Sequence, residues 1–204
     1  EVLVVDGHGP GAIQFEDLHP AARLLHGRPV FTWTSLANVY QAYDACMMIG
    51  QHAMAGVPTG NLNHTQNSRA IDYYKLNGHK IGEIAQEALF CGALGVPLIF
   101  LSGDEAACRE ATDLIPGIVT APVKQGLSRS MAISLSAPEA HRRIHAGVVQ
   151  AVAQQQQQNP IPPLVWPGPY TLEIRYFTTL DASARAAHPG FVQVDDQTVR
   201  IDSE

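Results

Sequence analysis

The sequence is poor in charge. Aspartate, glutamate, lysine and arginine make up only 16% of its 204 residues, against about a quarter in ordinary soluble domains. Much of the surface is therefore expected to be uncharged or covered by other subunits, and a homo-oligomer is the expectation. Basic residues are the scarcer kind, 13 Lys and Arg against 19 Asp and Glu for a net charge of -6. With no basic run and no interleaving of basic and aromatic residues, a nucleic-acid partner is not expected. The three cysteines, Cys46, Cys91 and Cys108, are odd in number and form no C-x-x-C pair. They exclude a disulfide framework and read as small buried residues of a reduced, cytoplasmic protein. No apolar run approaches the roughly 18 to 20 residues of a membrane helix, so no membrane partner is expected. A secretory signal is lacking too, but the chain opens directly in a strand without Met, and it reads as part of a longer protein.

Several catalytic signatures are also absent. GHGPGA is glycine-rich but has neither the Lys-Ser/Thr of a P-loop nor the spacing of a dinucleotide fingerprint. Ser128 and Ser130 lie outside any G-x-S-x-G elbow, and no H-E-x-x-H helix occurs.

What remains is the pattern of an α/β protein. Residues 2–5 are a continuous aliphatic run ending at Asp6, and residues 45–49 and 96–101 are two more, the pattern of strands buried on both faces. Residues 35–44 read as helix or loop, and residues 51–69, rich in Gly, Asn and Pro, as a long loop of the kind that usually carries function. IDYYKLNGHKIGE places two strand-like runs around Asn77-Gly78, a hairpin signal. IAQEALFCGALG reads as a helix with a broad apolar face, and EAACREATDLI as another that Ser102 or Asp104 can cap. This alternation predicts a doubly wound, mostly parallel sheet with helices on both faces. After Pro116 a short strand over 118–123, a polar turn in KQGLSRS, a helix in APEAHRRIHAGVVQAVAQQQQQ and strands over 170–178 and 191–201 read as a smaller α+β portion. The expected division is an α/β metal-binding domain over 1–125 and an α+β portion over 126–204.

Two histidines sit in glycine-flanked loops just after apolar strands, His8 in VLVVDGHGPG and His52 in ACMMIGQHAMAG, and His64 follows in NLNHTQNS. Loops at the carboxyl ends of parallel strands converge on one crevice, and imidazoles delivered there are candidate metal ligands or proton carriers. Taken alone each has a plainer reading. His8 and His52 could cap turns, His64 could be a solvated loop imidazole, and Glu83 is a carboxylate favoured by the dipole at a helix start. Asp6, two residues before His8 on the same strand face, is a candidate orienter of it.

In sequence order EVLVVDGHG, LHPAARLLHG, MMIGQHAMAG, NLNHT, LNGHKIGE, GVPLIFLSGDEAACREA and APVKQGLSRS resemble the zinc-dependent D-aminopeptidases of the bacterial dipeptide-transport operon type. The resemblance covers most of the chain and is densest up to about residue 138. It implies a hydrolase with two zinc ions per active site, acting on short peptides with a free amino terminus, and D-residues as the preferred substrates. The histidine of the family's D-x-H loop corresponds to His8, that of its G-x-H-A loop to His52, and the glutamate after its N-G hairpin to Glu83, all as metal ligands. The family's further active-site histidine, in an H-[ST] pair, corresponds to His64, as general acid/base or nucleophile. The family's Asp-x-Glu-Gly motif does not occur here, and further zinc ligands are expected from a segment preceding Glu1. Large ring-like homo-oligomers are implied as well. Two other readings stay open at this stage, a related amidohydrolase acting on L-peptides or non-peptide amides, and a non-catalytic homologue.

Overall fold

The computed structural model describes residues 1–7, 13–27 and 33–203. Two compact units divide the chain, Glu1–Asp44 and Ala45–Glu204. In the first, β1 (Val2–Val5) and β2 (Ala22–Leu25) pair in parallel, with Val2 opposite Ala22 and Val5 opposite Leu25. α1 (Trp33–Tyr40) closes this unit.

The second unit holds two sheets. β3 (Cys46–Gln51), β6 (Leu98–Asp104), β7 (Val119–Ser128) and β8 (Met131–Ser134) lie side by side in that order, the first three parallel and β8 antiparallel at the edge. All seven residues of β6 are buried, as a strand covered on both faces requires. α2 (Glu83–Ala93) leads into β6 at the end of the long crossover from β3, α3 (Glu105–Leu114) connects β6 with β7, and α4 (Ala137–Gln155) follows β8. The alternation of side chains along β6 shows which helix covers which face. A Cβ placed on Gly147 of α4 would come 2.5 Å from the Phe100 ring, whereas one on Gly103 would face Ala107 of α3 at 3.3 Å. Residues 100 and 103 point to opposite faces, so α3 and α4 sandwich the sheet and the doubly wound expectation holds for this unit. Ile99, Phe100 and Leu101 are each at most 1% exposed, and burying a side chain of that size contributes about 1.5–3 kcal/mol.

The antiparallel sheet runs β10-β11-β9-β4-β5. It is built from β4 (Ile71–Leu76), β5 (His79–Ile81), β9 (Tyr170–Tyr176), β10 (Phe191–Gln193) and β11 (Thr198–Ser203). The Asn77-Gly78 hairpin forms as expected, with φ of 50° and 82° at its two turn residues, the left-handed pair of a type I′ turn. Its partner is a surprise to local reasoning: Tyr74 pairs with Ile81 on one side and Ile174 on the other. α5 (Thr179–Ala186) packs on this sheet, where Ile71, Ile174, Tyr176, Ala182 and Val199 form a second small core. The expected junction at 125/126 falls inside β7, which continues as paired strand through the polar KQGLS stretch. Strands assigned to the two expected portions thus share one sheet. Among the described residues no helix is long and apolar enough to cross a membrane, and all three cysteines are free.

Candidate metal centre

Three elements deliver the site. β3 ends at Gln51, so His52 leaves the carboxyl edge of the parallel sheet; the loop that follows returns His64; and the hairpin β4–β5 ends at Ile81, with Gly82 at the N-cap of α2 and Glu83 in its first turn. One ligand atom from each of His52, His64 and Glu83 lies within 4.8 Å of the others. Nε2 of His52 is 3.6 Å from one oxygen of Glu83, and Nε2 of His64 is 3.7 Å from the other. The imidazoles stack with centroids 4.0 Å apart and planes inclined by 25°.

Both rings are oriented from behind. Nδ1 of His52 is 3.0 Å from the Ala53 carbonyl and Nδ1 of His64 is 2.7 Å from the Leu62 carbonyl. A carbonyl oxygen can only accept, so each Nδ1 carries the hydrogen and each Nε2 presents a lone pair toward Glu83 when the ring is neutral. Glu83 is steadied by the Gln66 N–H, which donates to Oε1 at 2.7 Å. Metal-binding histidines typically show this backbone bond on the second nitrogen.

The donor chemistry and spacing fit a zinc ion. Ligand atoms about 2.1 Å from a tetrahedral zinc stand about 3.4 Å apart, close to the 3.6 Å between His52 Nε2 and Glu83. That distance is too long for a strong hydrogen bond and suits a carboxylate and an imidazole facing a shared cation.

The loop between the histidines is held by Thr65 and Asn63, whose roles the sequence did not signal, and by Asp104, which it offered only as a helix cap. Thr65 Oγ1 accepts from the Ala55 N–H at 3.1 Å, and Asn63 Oδ1 from the Gly56 N–H at 3.2 Å. Thr65 is 1% exposed and Asn63 8%, so His64 is clamped on both sides by buried polar anchors. Asp104, also buried, caps α3 through the Ala107 N–H and takes the Asn61 N–H on its other oxygen. A Cβ at Gly126 would sit 2.0 Å from the Thr59 carbonyl, so β7 supports the same loop by direct backbone approach. Leu62 and Gln66, flanking His64, have φ of 59° and 62°, a left-handed conformation that costs a non-glycine residue about 1–2 kcal/mol. Such strain persists only where the surroundings impose it, and functional loops are where it collects.

Glu110 is a further residue with no sequence signal. Its Oε2 accepts from the Met54 N–H at 2.7 Å, while Oε1 has no hydrogen-bond partner among the described residues. Burial pushes its carboxyl up to about 7 against the pull of the Met54 bond, with Asp104 and Glu83 adding to the rise. It lines a cleft of about 500 Å3 together with Met54, Lys80, Arg109 and Trp166. His8 lies outside the described residues. Asp6, in the first unit, donates its backbone N–H to Leu25 at 3.1 Å.

Two imidazoles and a carboxylate gathered at the carboxyl edge of a parallel sheet are the ligand types of a zinc hydrolase. The chain belongs to the D-aminopeptidase family of peptidases, whose model matches residues 1–204. A D-aminopeptidase of Bacillus subtilis (strain 168) is 32% identical over 164 residues, which is 80% of this chain and 59% of that protein. The chain therefore spans 59% of the length of this curated relative. The solved structure of a Zn-dependent D-aminopeptidase, DppA from Bacillus subtilis, described as a self-compartmentalizing protease, matches with a TM-score of 0.84 at 27% identity. That match covers 93% of this chain and 68% of the other.

Proposed function

We propose that the chain carries the hydrolytic site of a zinc-dependent aminopeptidase that cleaves short peptides with a free amino terminus, D-residues preferred. The observation that carries this reading is the convergence of His52, His64 and Glu83, from three separate elements, on one point. The family membership and the relatives' names supply the substrate class.

His52 and Glu83 are the residues that would hold the metal, with His8 as a further ligand on the strength of its D-x-H motif and a two-zinc centre as the complete form. Zinc bound there would polarise the peptide carbonyl and lower the pKa of a water. His52 contributes a ring whose direction the Ala53 carbonyl sets. Glu83 contributes a carboxylate prevented from swinging by the Gln66 N–H. His64 is the proton carrier: with Nδ1 committed to the Leu62 carbonyl, its Nε2 takes a proton from the attacking water and returns it to the departing amine. Its stacking on His52 fixes the plane in which that transfer occurs.

The protein functions as a cytoplasmic homo-oligomer in this reading. Leu127, Met131 and Ile133 are between 48% and 60% exposed on β8 and the adjoining end of β7, at the edge of the sheet, and an apolar sheet edge is a natural subunit contact. Hydrolysis of paired D-alanyl and L-alanyl dipeptides by zinc-loaded protein tests the proposal. Faster release of alanine from the D-peptide, lost on chelation, is the expected result; no hydrolysis of either by protein shown to contain zinc would overturn it.

A further inference from the structure

A second cluster of metal-ligating side chains lies at the other end of the same two elements. Cys46 opens β3, while Glu87 and Cys91 stand four residues apart on α2 and so share one face of that helix. The Cys46 and Cys91 sulfurs are 3.8 Å and 3.6 Å from the same oxygen of Glu87, and one ligand atom from each of the three residues lies within 4.8 Å of the others. Cys91 is fully buried, and Cys46 and Glu87 are half-buried. This cluster is separate from His52, His64 and Glu83, and nothing in the proposed hydrolytic step uses it.

We propose that Cys46, Glu87 and Cys91 form a second cation site, selective for a thiophilic divalent ion of the zinc type, that ties α2 to β3.

The spacing suits such an ion. A tetrahedral zinc about 2.3 Å from each sulfur and about 2.1 Å from a carboxylate oxygen separates sulfur from oxygen by about 3.6 Å. The donor set discriminates: two sulfurs disfavour magnesium and calcium, which take oxygen ligands, and favour zinc and its soft relatives. Binding releases one proton from each thiol to solvent, and both sulfurs coordinate as thiolates beside the Glu87 carboxylate. A disulfide between the same cysteines has no use for that carboxylate, whereas a cation lets all three donors carry charge in a half-buried place. The position gives the site a task. β3 delivers His52 and α2 delivers Glu83, so an ion joining Cys46 to Glu87 and Cys91 fastens together the strand and helix that hold the first centre.

Cobalt substitution reads this site apart from the histidine cluster, because only sulfur ligands produce the near-ultraviolet thiolate-to-cobalt charge-transfer band. Reduced, metal-stripped full-length protein titrated with cobalt is expected to develop that band. It should persist in His52→Ala and in Cys108→Ser, disappear in Cys46→Ser and in Cys91→Ser, and require at least about tenfold more cobalt in Glu87→Gln, which loses a charged ligand. Should Cys91→Ser fail to fold, Cys46→Ser carries the test, its side chain being only half-buried. Absence of the band from reduced wild-type protein, its persistence in Cys46→Ser, or an unchanged titration of Glu87→Gln would overturn the proposal.

Discussion

Replacing Asp104 with alanine removes two supports at once. One carboxylate oxygen accepts from the Ala107 N–H at 2.7 Å and caps α3; the other accepts from the Asn61 N–H in the loop that carries His64. Loss of the cap costs about 1 kcal/mol. The Asn61 N–H is half-buried and loses a charged acceptor, which costs a further 1–3 kcal/mol or so. Burial of the carboxylate at 2% exposure already carries a desolvation cost that the alanine variant escapes, so the net loss expected is about 2–3 kcal/mol. Asp104→Asn keeps an acceptor for one of the two donors and should lose about half as much. Urea denaturation of the three proteins, with the slope checked for constancy, measures this directly. The loop should loosen as well, so turnover by Asp104→Ala falls even where the protein remains folded. A loss below about 1 kcal/mol with unchanged turnover would refute the claim that Asp104 joins α3 to the His64 loop.

Glu110 makes stability depend on pH in a stated direction. Its folded carboxyl titrates at about 7 against an ordinary 4.5, so the folded state binds the proton more tightly than the unfolded one. Stability from this group is full below about pH 4.5 and is lost as pH rises to about 7. Glu110→Gln should therefore match the native protein near pH 5 and exceed it by about 1–3 kcal/mol at pH 8, read from urea midpoints across that range. Leu62→Gly relieves a left-handed residue that is 61% exposed; a gain of about 0.5–1 kcal/mol is expected in the same assay, and a comparable loss would show that the Leu62 side chain packs in a way its exposure does not suggest. Gly126→Ala drives a Cβ into the Thr59 carbonyl and should cost about 1–3 kcal/mol together with turnover, whereas a neutral variant would mean that β7 and the loop can separate freely.

Much of the second unit was legible because its signals are local. The buried run at residues 98–101, the Asn77-Gly78 turn and the Asp104 cap are each decided within a few residues. Pairing of the hairpin with β9 was not legible, since Tyr74 meets Ile174 across a hundred residues with nothing in either segment to name the other. β7 extends beyond the expected strand because Lys124 and Gln125 pair with β8 while their side chains reach solvent; polar composition alone looked like a turn. His52, His64 and Glu83 were singled out from their loop positions and the family resemblance, and the fold brings the three side chains together. The residues that hold them were not: Asn63, Thr65 and Asp104 are ordinary loop and cap residues until the contacts between distant segments are seen. The Cys46, Glu87 and Cys91 cluster was hidden for the same reason, its two cysteines lying on different elements with no motif spacing.

The account rests on a division of labour between two stacked imidazoles, His52 holding metal and His64 moving a proton. Zinc content and kcat measured together on His52→Ala and His64→Ala test it most directly. His52→Ala is expected to lose active-site zinc and activity together, while His64→Ala retains the metal and loses about a hundredfold or more in kcat. Near-normal turnover by His64→Ala, or loss of its active-site zinc, would contradict the account.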